Sequence, residues 1–211
     1  MGRGKDLFAI VQAIGWPIWP LLAASVIALT LIIERSIALR RDKVIPQSLL
    51  QDVLNLVARR QVSPEVIVKL ERSSPLGRVL AAALRNVRAP RAIAGAAVAN
   101  TGGHIAHDLA RYLSLLGSIG SIAPLLGLLG TVIGMIDIFA SQQAGSNPQQ
   151  LAHGISIALY CTAFGIIVAV PSVLSYRHFK ARIEDFLVEM EDQSQRLLEV
   201  LFADRYDPTP R

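Results

Sequence analysis

Cysteine is nearly absent from this sequence. Cys161 is the only one in 211 residues, which excludes an intramolecular disulfide and a cysteine-based zinc site. Aromatic residues are scarce at 6%, and charged residues make up only 18%. With 52% hydrophobic residues and a mean hydropathy of +0.44, the chain is too apolar for an ordinary soluble domain. No Gly-rich phosphate loop of the Walker type is present, so the chain does not hydrolyse nucleotide by itself. No strand pattern of any length occurs, and an all-α chain is expected. Clustered catalytic side chains are lacking too, so neither enzymatic activity nor a cofactor is expected. His104 and His107 stand three apart with no further ligand residue near in sequence, and no metal site is assigned to them. The Met-Gly start has Asp6 where a myristoylation signal needs Ser or Thr, and no transit peptide is visible. The net charge of +5 does not indicate nucleic acid, because the basic residues gather beside the apolar runs.

Those runs organise the chain. A bilayer core of roughly 30 Å needs about 20 apolar helical residues. Trp16–Ile33 supplies a first span, with tryptophans at one end and Glu34-Arg35 closing the other. The run is long and no small-residue cleavage site follows, so it is read as a span and not as a signal peptide. Leu113–Ala140 is the second span and Leu151–Tyr176 the third. The second is about 42 Å long as a helix and should extend beyond the hydrocarbon on one side. Pro124 and Pro171 are candidate kinks. Arg40, Arg41 and Lys43 follow span one, Arg111 precedes span two, and Arg177, Lys180 and Arg182 follow span three, whereas Ser141–Gln150 carries no charge. The positive-inside rule then puts the amino terminus and this loop outside, and the long intervening segment and the tail inside.

The expected organisation is an all-α integral membrane protein with seven segments. Residues 1–15 form a periplasmic amphipathic helix, 16–35 the first transmembrane helix, 36–112 a helical cytoplasmic domain and 113–140 the second transmembrane helix. Residues 141–150 form a periplasmic loop, 151–176 the third transmembrane helix, and 177–211 a cytoplasmic helix and tail. Leu7, Ile10, Val11 and Ile14 share a face for the first of these. Within the cytoplasmic segment Leu50, Val53, Leu54 and Val57 repeat at helical spacing, and Ser74-Pro75 reads as a cap ahead of a helix over Leu76–Val87. Gly102-Gly103 is expected to break the Ala-rich helix that precedes it, before a helix with Asp108 and Arg111 leads into span two. Ile183, Phe186, Leu187, Met190, Leu197, Leu198 and Leu201 continue span three as an amphipathic helix.

Two hydroxyls stand near the middle of the last two spans. Thr131 lies nine residues before Ala140, and Thr162 eleven after Leu151. Both therefore sit roughly 14–17 Å below the outer ends of their helices. At one level they could pass a proton to a carboxylate brought between them, or each could simply bond back to its own helix carbonyl. Around them Gly127, Gly130, Gly134, Ala158 and Gly165 make small-residue faces of the kind that lets helices approach in lipid. Asp137 is the only acidic residue in the apolar part of span two, either interfacial or a proton-entry site. No span holds a mid-membrane carboxylate, so a proton relay needs one from another chain.

The stretches SIAPLLGLLGTVIGMIDIF (Ser121–Phe139) and GISIALYCTAFGIIVAVPSVL (Gly154–Leu174) resemble the signature helices of the MotA/TolQ/ExbB proton-channel family. Chain length, three spans and the large inner segment resemble its ExbB/TolQ branch. The resemblance implies a homopentamer in the inner (cytoplasmic) membrane of a Gram-negative bacterium. Its lumen would hold an ExbD/TolR-like single-span partner that carries a membrane aspartate. Proton flow would energise a TonB-like or TolA-like protein, for TonB-dependent outer-membrane transport or for a Tol-type envelope system, against a non-conducting scaffold as the bland alternative. Partners are thus copies of itself, those proteins and membrane lipid, with no nucleic acid. By motif, the family's pore threonines correspond to Thr131 and Thr162. Many members have a glutamate four residues into the GIAEAL-like start of span three. Ile157 stands there in this chain, so that role is either dispensable or taken by Ser156, Tyr160 or Asp137.

Overall fold

The structure, a computed structural model, describes Trp16 and residues 18–141 and 148–203. The helix expected over Asp6–Ile14, most of the polar loop, the side chain of His153 and residues 204–211 lie outside the described residues. Among the described residues every regular element is a helix, and there is no strand. The helices are α1 Ile18–Ala38, α2 Arg41–Val44, α3 Leu49–Ala58, α4 Pro64–Ser73, α5 Pro75–Arg85, α6 Arg91–Ala110, α7 Leu113–Ser141 and α8 Pro148–Ala203. Three helical stretches are long and apolar enough to cross a membrane: Ile18–Ala38 and parts of Arg91–Ala140 and Gly154–Ala203.

The chain divides into two units. One holds α1 up to Glu34, α7 and α8 up to His178; the other holds Arg35–Arg111 and the chain from Phe179 onward. The first is built on an antiparallel hairpin of α7 and α8, in which glycines meet the opposite helix at every second turn or so. A Cβ at Gly120 would stand 2.6 Å from the side chain of Val173, and one at Gly134 would stand 3.0 Å from Ala158 Cβ. At the centre the approach is backbone to backbone. A Cβ at Gly127 would lie 2.8 Å from the Cys161 carbonyl oxygen and 2.9 Å from Thr162 Cα, and one at Gly165 would lie 2.6 Å from the Ala123 carbonyl oxygen. Lipid supplies no hydrophobic force between helices, so this close packing is what joins them. Both helices run on unbroken through Pro124 and Pro171. Beside the second proline, the buried Ser172 hydroxyl donates to the Val168 carbonyl at 2.7 Å. The outward faces are large and apolar, with Leu125, Ile136, Leu159, Ile167 and Leu174 all exposed.

The second unit is a helical bundle whose corners are set by serine and proline. Ser63 and Ser74 accept from the amides of Val66 and Gly77, at 3.3 and 3.1 Å, and Pro64 and Pro75 open the helices behind them. Each proline costs nothing there, because the first helical N–H has no intrahelical partner anyway. The second helix starts one residue earlier and ends two earlier than Leu76–Val87. Gly77 lets α4 and α5 meet at this corner, since a Cβ on it would overlap the Leu70 carbonyl. α5 is the centre of the bundle, packed on α4 and α6, with Leu76, Leu80 and Ala83 fully buried. At the end of α3 Arg60 takes φ 55°, with amide bonds from Arg60 to the Val57 carbonyl and from Gln61 to the Leu56 carbonyl. This is a Schellman stop made with arginine where glycine is usual.

Two expectations are corrected. Gly102-Gly103 does not break the helix: α6 runs from Arg91 to Ala110. Its buried residues Ala94, Val98 and Ile105 fall on one face on both sides of the glycine pair, so packing holds the helix through them. The break comes instead at Arg111 and Tyr112, where Tyr112 takes φ 64° and its carbonyl accepts from the Leu116 amide to start α7. Arg111 is therefore outside any helix. Likewise α1 does not stop at Arg35. The Arg35 side chain is buried, and its guanidinium donates to the Leu109 carbonyl at 3.0 Å, in the last turn of α6. That satisfies a helix-end carbonyl which would otherwise lack a partner.

The glycines of the two units differ. Gly117, Gly120, Gly127, Gly134, Gly154 and Gly165 of the hairpin have atoms within 3.3 Å of a Cβ, whereas Gly95, Gly102 and Gly103 in α6 have none within 4 Å. Gly102→Ala should accordingly raise helix stability by up to about 1 kcal/mol, and Gly127→Ala should cost about 1–3 kcal/mol through overpacking. Thermal melts of the detergent-extracted chain compare the two. A pH dependence is also expected. Arg78 Nη1 donates to Asp108 Oδ2 at 2.8 Å and holds that carboxyl below its usual range, against a weaker opposing effect of burial. A depressed folded value means the pair contributes above the ordinary carboxylate range and fades as pH falls through the folded value. With the two side chains 40% and 57% exposed, screening limits this to about 1 kcal/mol or less. Asp108→Asn should lower the melting temperature slightly at neutral pH, and that difference should vanish in strong acid.

Candidate functional site

Serine and threonine hydroxyls inside apolar helices have one cheap partner, a carbonyl three or four residues back. Six such hydroxyls described in the membrane-length helices use it, Ser121 among them. Thr30 donates to Val26 (2.8 Å), Ser118 to Ser114 (2.9 Å), Ser156 to Ala152 (2.9 Å) and Ser172 to Val168 (2.7 Å). Thr131 does so as well, donating to the Leu128 carbonyl at 2.7 Å from a partly exposed position. Thr162 stands apart from these. Its Oγ1 is buried and has no hydrogen-bond partner among the described residues.

The glycine contacts explain where that atom sits. Gly127 lies against the backbone of Cys161 and Thr162, and Gly165 lies against Ala123 and Gly127. The Thr162 backbone is therefore held in the tightest part of the hairpin. An unpaired buried hydroxyl costs about 1–3 kcal/mol, and this one is retained in a helix where the neighbouring turns offer carbonyls. This oxygen has its donor and both lone pairs uncommitted, and a group from outside the chain reaches it only where the side chain turns or the hairpin parts.

Thr131 lies between Gly127 and Gly134 on α7, which face Cys161–Thr162 and Ala158 on α8. It therefore stands level with residues just before Thr162, within about one helical turn along the axis. The two threonines thus lie within about one helical turn of each other along the hairpin, with different bonding states. Gly130 and Ala158 are buried in the same hairpin. The other polar candidates are not gathered there. Asp137 is exposed and lies about 9 Å farther along α7, Ser156 is exposed about 9 Å before Thr162, and Tyr160 is 53% exposed. At 100° per residue, Ser156 and Tyr160 fall more than about 100° around the helix from Thr162. Ile157 is half-buried and places no polar atom near the site.

Three further polar positions were passed over in the sequence. Ser114, Ser118 and Ser121 line an exposed edge of α7, at the end far from Asp137. Ser121 donates to the carbonyls of Gly117 and Ser118, at 3.2 and 3.0 Å. Their spacing of four and three residues was the available signal. Among the described residues no group of His, Cys, Asp and Glu could hold a metal ion.

Comparison with known proteins is consistent with this hairpin being the diagnostic part. The MotA/TolQ/ExbB proton channel family model matches residues 71–192, which include the whole of α7 and the apolar half of α8. A biopolymer transport protein, exbB1, of Vibrio cholerae serotype O1 is 29% identical over 177 residues, 80% of this chain and 77% of that one. The ExbB-like 3 biopolymer transport protein of Synechocystis is 33% identical over 168 residues, 77% of this chain and 79% of that one. The ExbB-like 1 protein of the same organism is 29% identical over 205 residues, 93% and 80% of the two chains. The family is one of proton channels and transport accessories, not an enzyme class, and three membrane-length helices suit a multi-pass membrane protein. The chain belongs to the MotA/TolQ/ExbB proton channel family, in its ExbB-like branch.

Proposed function

We propose that this chain is the proton-channel and motor subunit of an inner-membrane complex that uses the protonmotive force, with an ExbD-like partner, to energise TonB-dependent outer-membrane transport. The observation that carries this reading is the buried, unpartnered Thr162 hydroxyl. It lacks the one thing proton transfer requires of a fixed hydroxyl, a second polar group, and no carboxylate of this chain lies in the central part of the hairpin to supply it. A partner helix bearing an aspartate, inserted beside α7 and α8, provides that group. Thr131 stands at the same level and holds its proton on the Leu128 carbonyl, so it can accept through a free lone pair without leaving its helix. The exposed apolar faces of α7 and α8 leave room for copies of the chain to assemble around such a helix, as a pentamer. The ExbB names of the relatives favour the TonB-type system over the Tol-type one. In this topology the amino terminus and the 141–150 loop lie outside, and the Arg-rich 36–112 segment faces the cytoplasm.

The test uses the chain and its single-span partner in liposomes with an internal pH-sensitive dye and an imposed proton gradient. Thr162→Val should leave the complex assembled. It should leave the melting temperature unchanged or raised by the equivalent of about 1 kcal/mol, because it deletes an unsatisfied buried hydroxyl of nearly the same shape. Proton leak should fall by about tenfold or more, as expected when a positioned proton-transfer group is lost. Thr131→Val should lower leak less. Replacing the partner's membrane aspartate with Asn should abolish it. Leak that persists unchanged in Thr162→Val with the complex intact would remove Thr162 from the proton path, whereas a wild-type complex with no leak above empty liposomes would leave a non-conducting scaffold as the better reading.

A further inference from the structure

The three α6 glycines without neighbours are the most expensive unexplained feature of the bundle. Gly95, Ala99 and Gly103 repeat at four-residue spacing, with Gly102 and Ala106 beside them, and space is open above all three glycines. They form one wall of an apolar groove of about 320 Å³. Val79 and Val98 form its floor, and Leu187 and Met190 of α8 its other wall. A glycine in mid-helix weakens the helix unless a backbone must approach it closely. In the hairpin that approach is visible. In α6 nothing of the described chain makes it.

The charge around the groove selects the occupant. Its one charged lining residue is Glu191, and Glu184, Asp192 and Glu199 occupy exposed positions of the same part of α8 outside the lining. Phe179–Ala203 holds six acidic residues against three basic ones, whereas Arg35–Arg111 holds thirteen basic against five acidic. Some of that complementarity is used within the chain, as in the 2.7 Å pair of Arg41 with Glu189. Glu191, Lys69 and Arg72 take part in no ion pair among the described residues. Lys69 and Arg72 sit on an exposed edge of α4 around Val68, which is 42% exposed, with Pro64 and Glu65 at its start. A short helix edge with one apolar knob and two cations fits a groove walled by glycine whose one charged lining residue is Glu191.

We infer that the groove between α5, α6 and the distal part of α8 receives α4 of a second copy of this chain. Val68 seats over Gly102, and Lys69 and Arg72 face Glu191. The two surfaces are different patches of one chain, so the contact is head-to-tail and repeats around a closed ring. This rests on the self-assembly in the proposed function and not on proton conduction.

The experiment is cysteine cross-linking of the full chain with its partner in membrane vesicles, using a mild oxidant. Cys161 is kept because it is buried. The double variant Val68→Cys/Gly102→Cys should give a ladder of multimers. Chains carrying Val68→Cys mixed with chains carrying Gly102→Cys should give dimers only. Adding Glu191→Lys to the double variant should lower the cross-linked yield about tenfold, and adding Lys69→Glu and Arg72→Glu to that should restore it. A yield no greater than that of the control pair Val200→Cys/Gly102→Cys, in chains that still assemble with wild-type size, would overturn the inference. So would cross-links to a different protein in place of this chain. A ladder without proton leak would remove the conduction reading alone, and leak without a ladder would remove this docking alone.

Discussion

The close approach of α7 and α8 at Gly127 and Gly165 is the constraint from which most of the membrane-length part follows. In water two apolar helices are pushed together by the solvent. In lipid they are not, and only atoms near van der Waals distance hold them. A Cβ at either glycine would meet a carbonyl oxygen of the opposite helix within 3 Å, so side chains at these two positions are excluded by geometry. The remaining glycine contacts, from Gly117 against Tyr176 to Gly154 against Ile138, keep the pairing in one register.

That register decides how the two threonines are bonded. By fixing the backbone of Thr162 against Gly127, it encloses the hydroxyl while withholding a partner. Thr131, one short step away on the other helix, keeps the ordinary bond to its own carbonyl. Two identical side chains within about one turn of each other thus differ in bonding: one is satisfied by its own helix, the other is enclosed and unpaired. An unpaired buried hydroxyl in an apolar hairpin is unfavourable for the isolated chain, and in the proposed function another helix completes it.

The bundle follows a different logic. Its corners are local, made by Ser-Pro caps and a Schellman stop, and its centre is α5 with its fully buried leucines and alanine. Arg35 reaches the last turn of α6 and so ties the start of the bundle to its end in sequence. The bundle spends glycine where it gains no packing, and it separates charge so that the 35–111 segment is strongly basic and the distal part of α8 acidic. Both features are what the inferred docking of a second copy would use.

Much of this was legible in the residues. Apolar runs about 20 residues long, flanked by Arg and Lys, identify membrane-length helices without any tertiary information, because the bilayer sets their length. Ser74-Pro75 announced its cap through local backbone chemistry alone, and the hairpin motifs carried the family. The glycine spacing indicated close packing, but in the sequence Gly127 and Gly102 look alike. Only the fold decided that one meets a carbonyl and the other meets open space, since that depends on a helix distant in the chain. The same holds for Gly102-Gly103, where propensity argued for a break and burial of Ala94, Val98 and Ile105 carried the helix through. It holds for the two threonines as well. A sequence can place a hydroxyl at a depth, because depth is residue count times helical rise; whether that hydroxyl finds a carbonyl depends on the rotamer that the neighbouring helix leaves open to it.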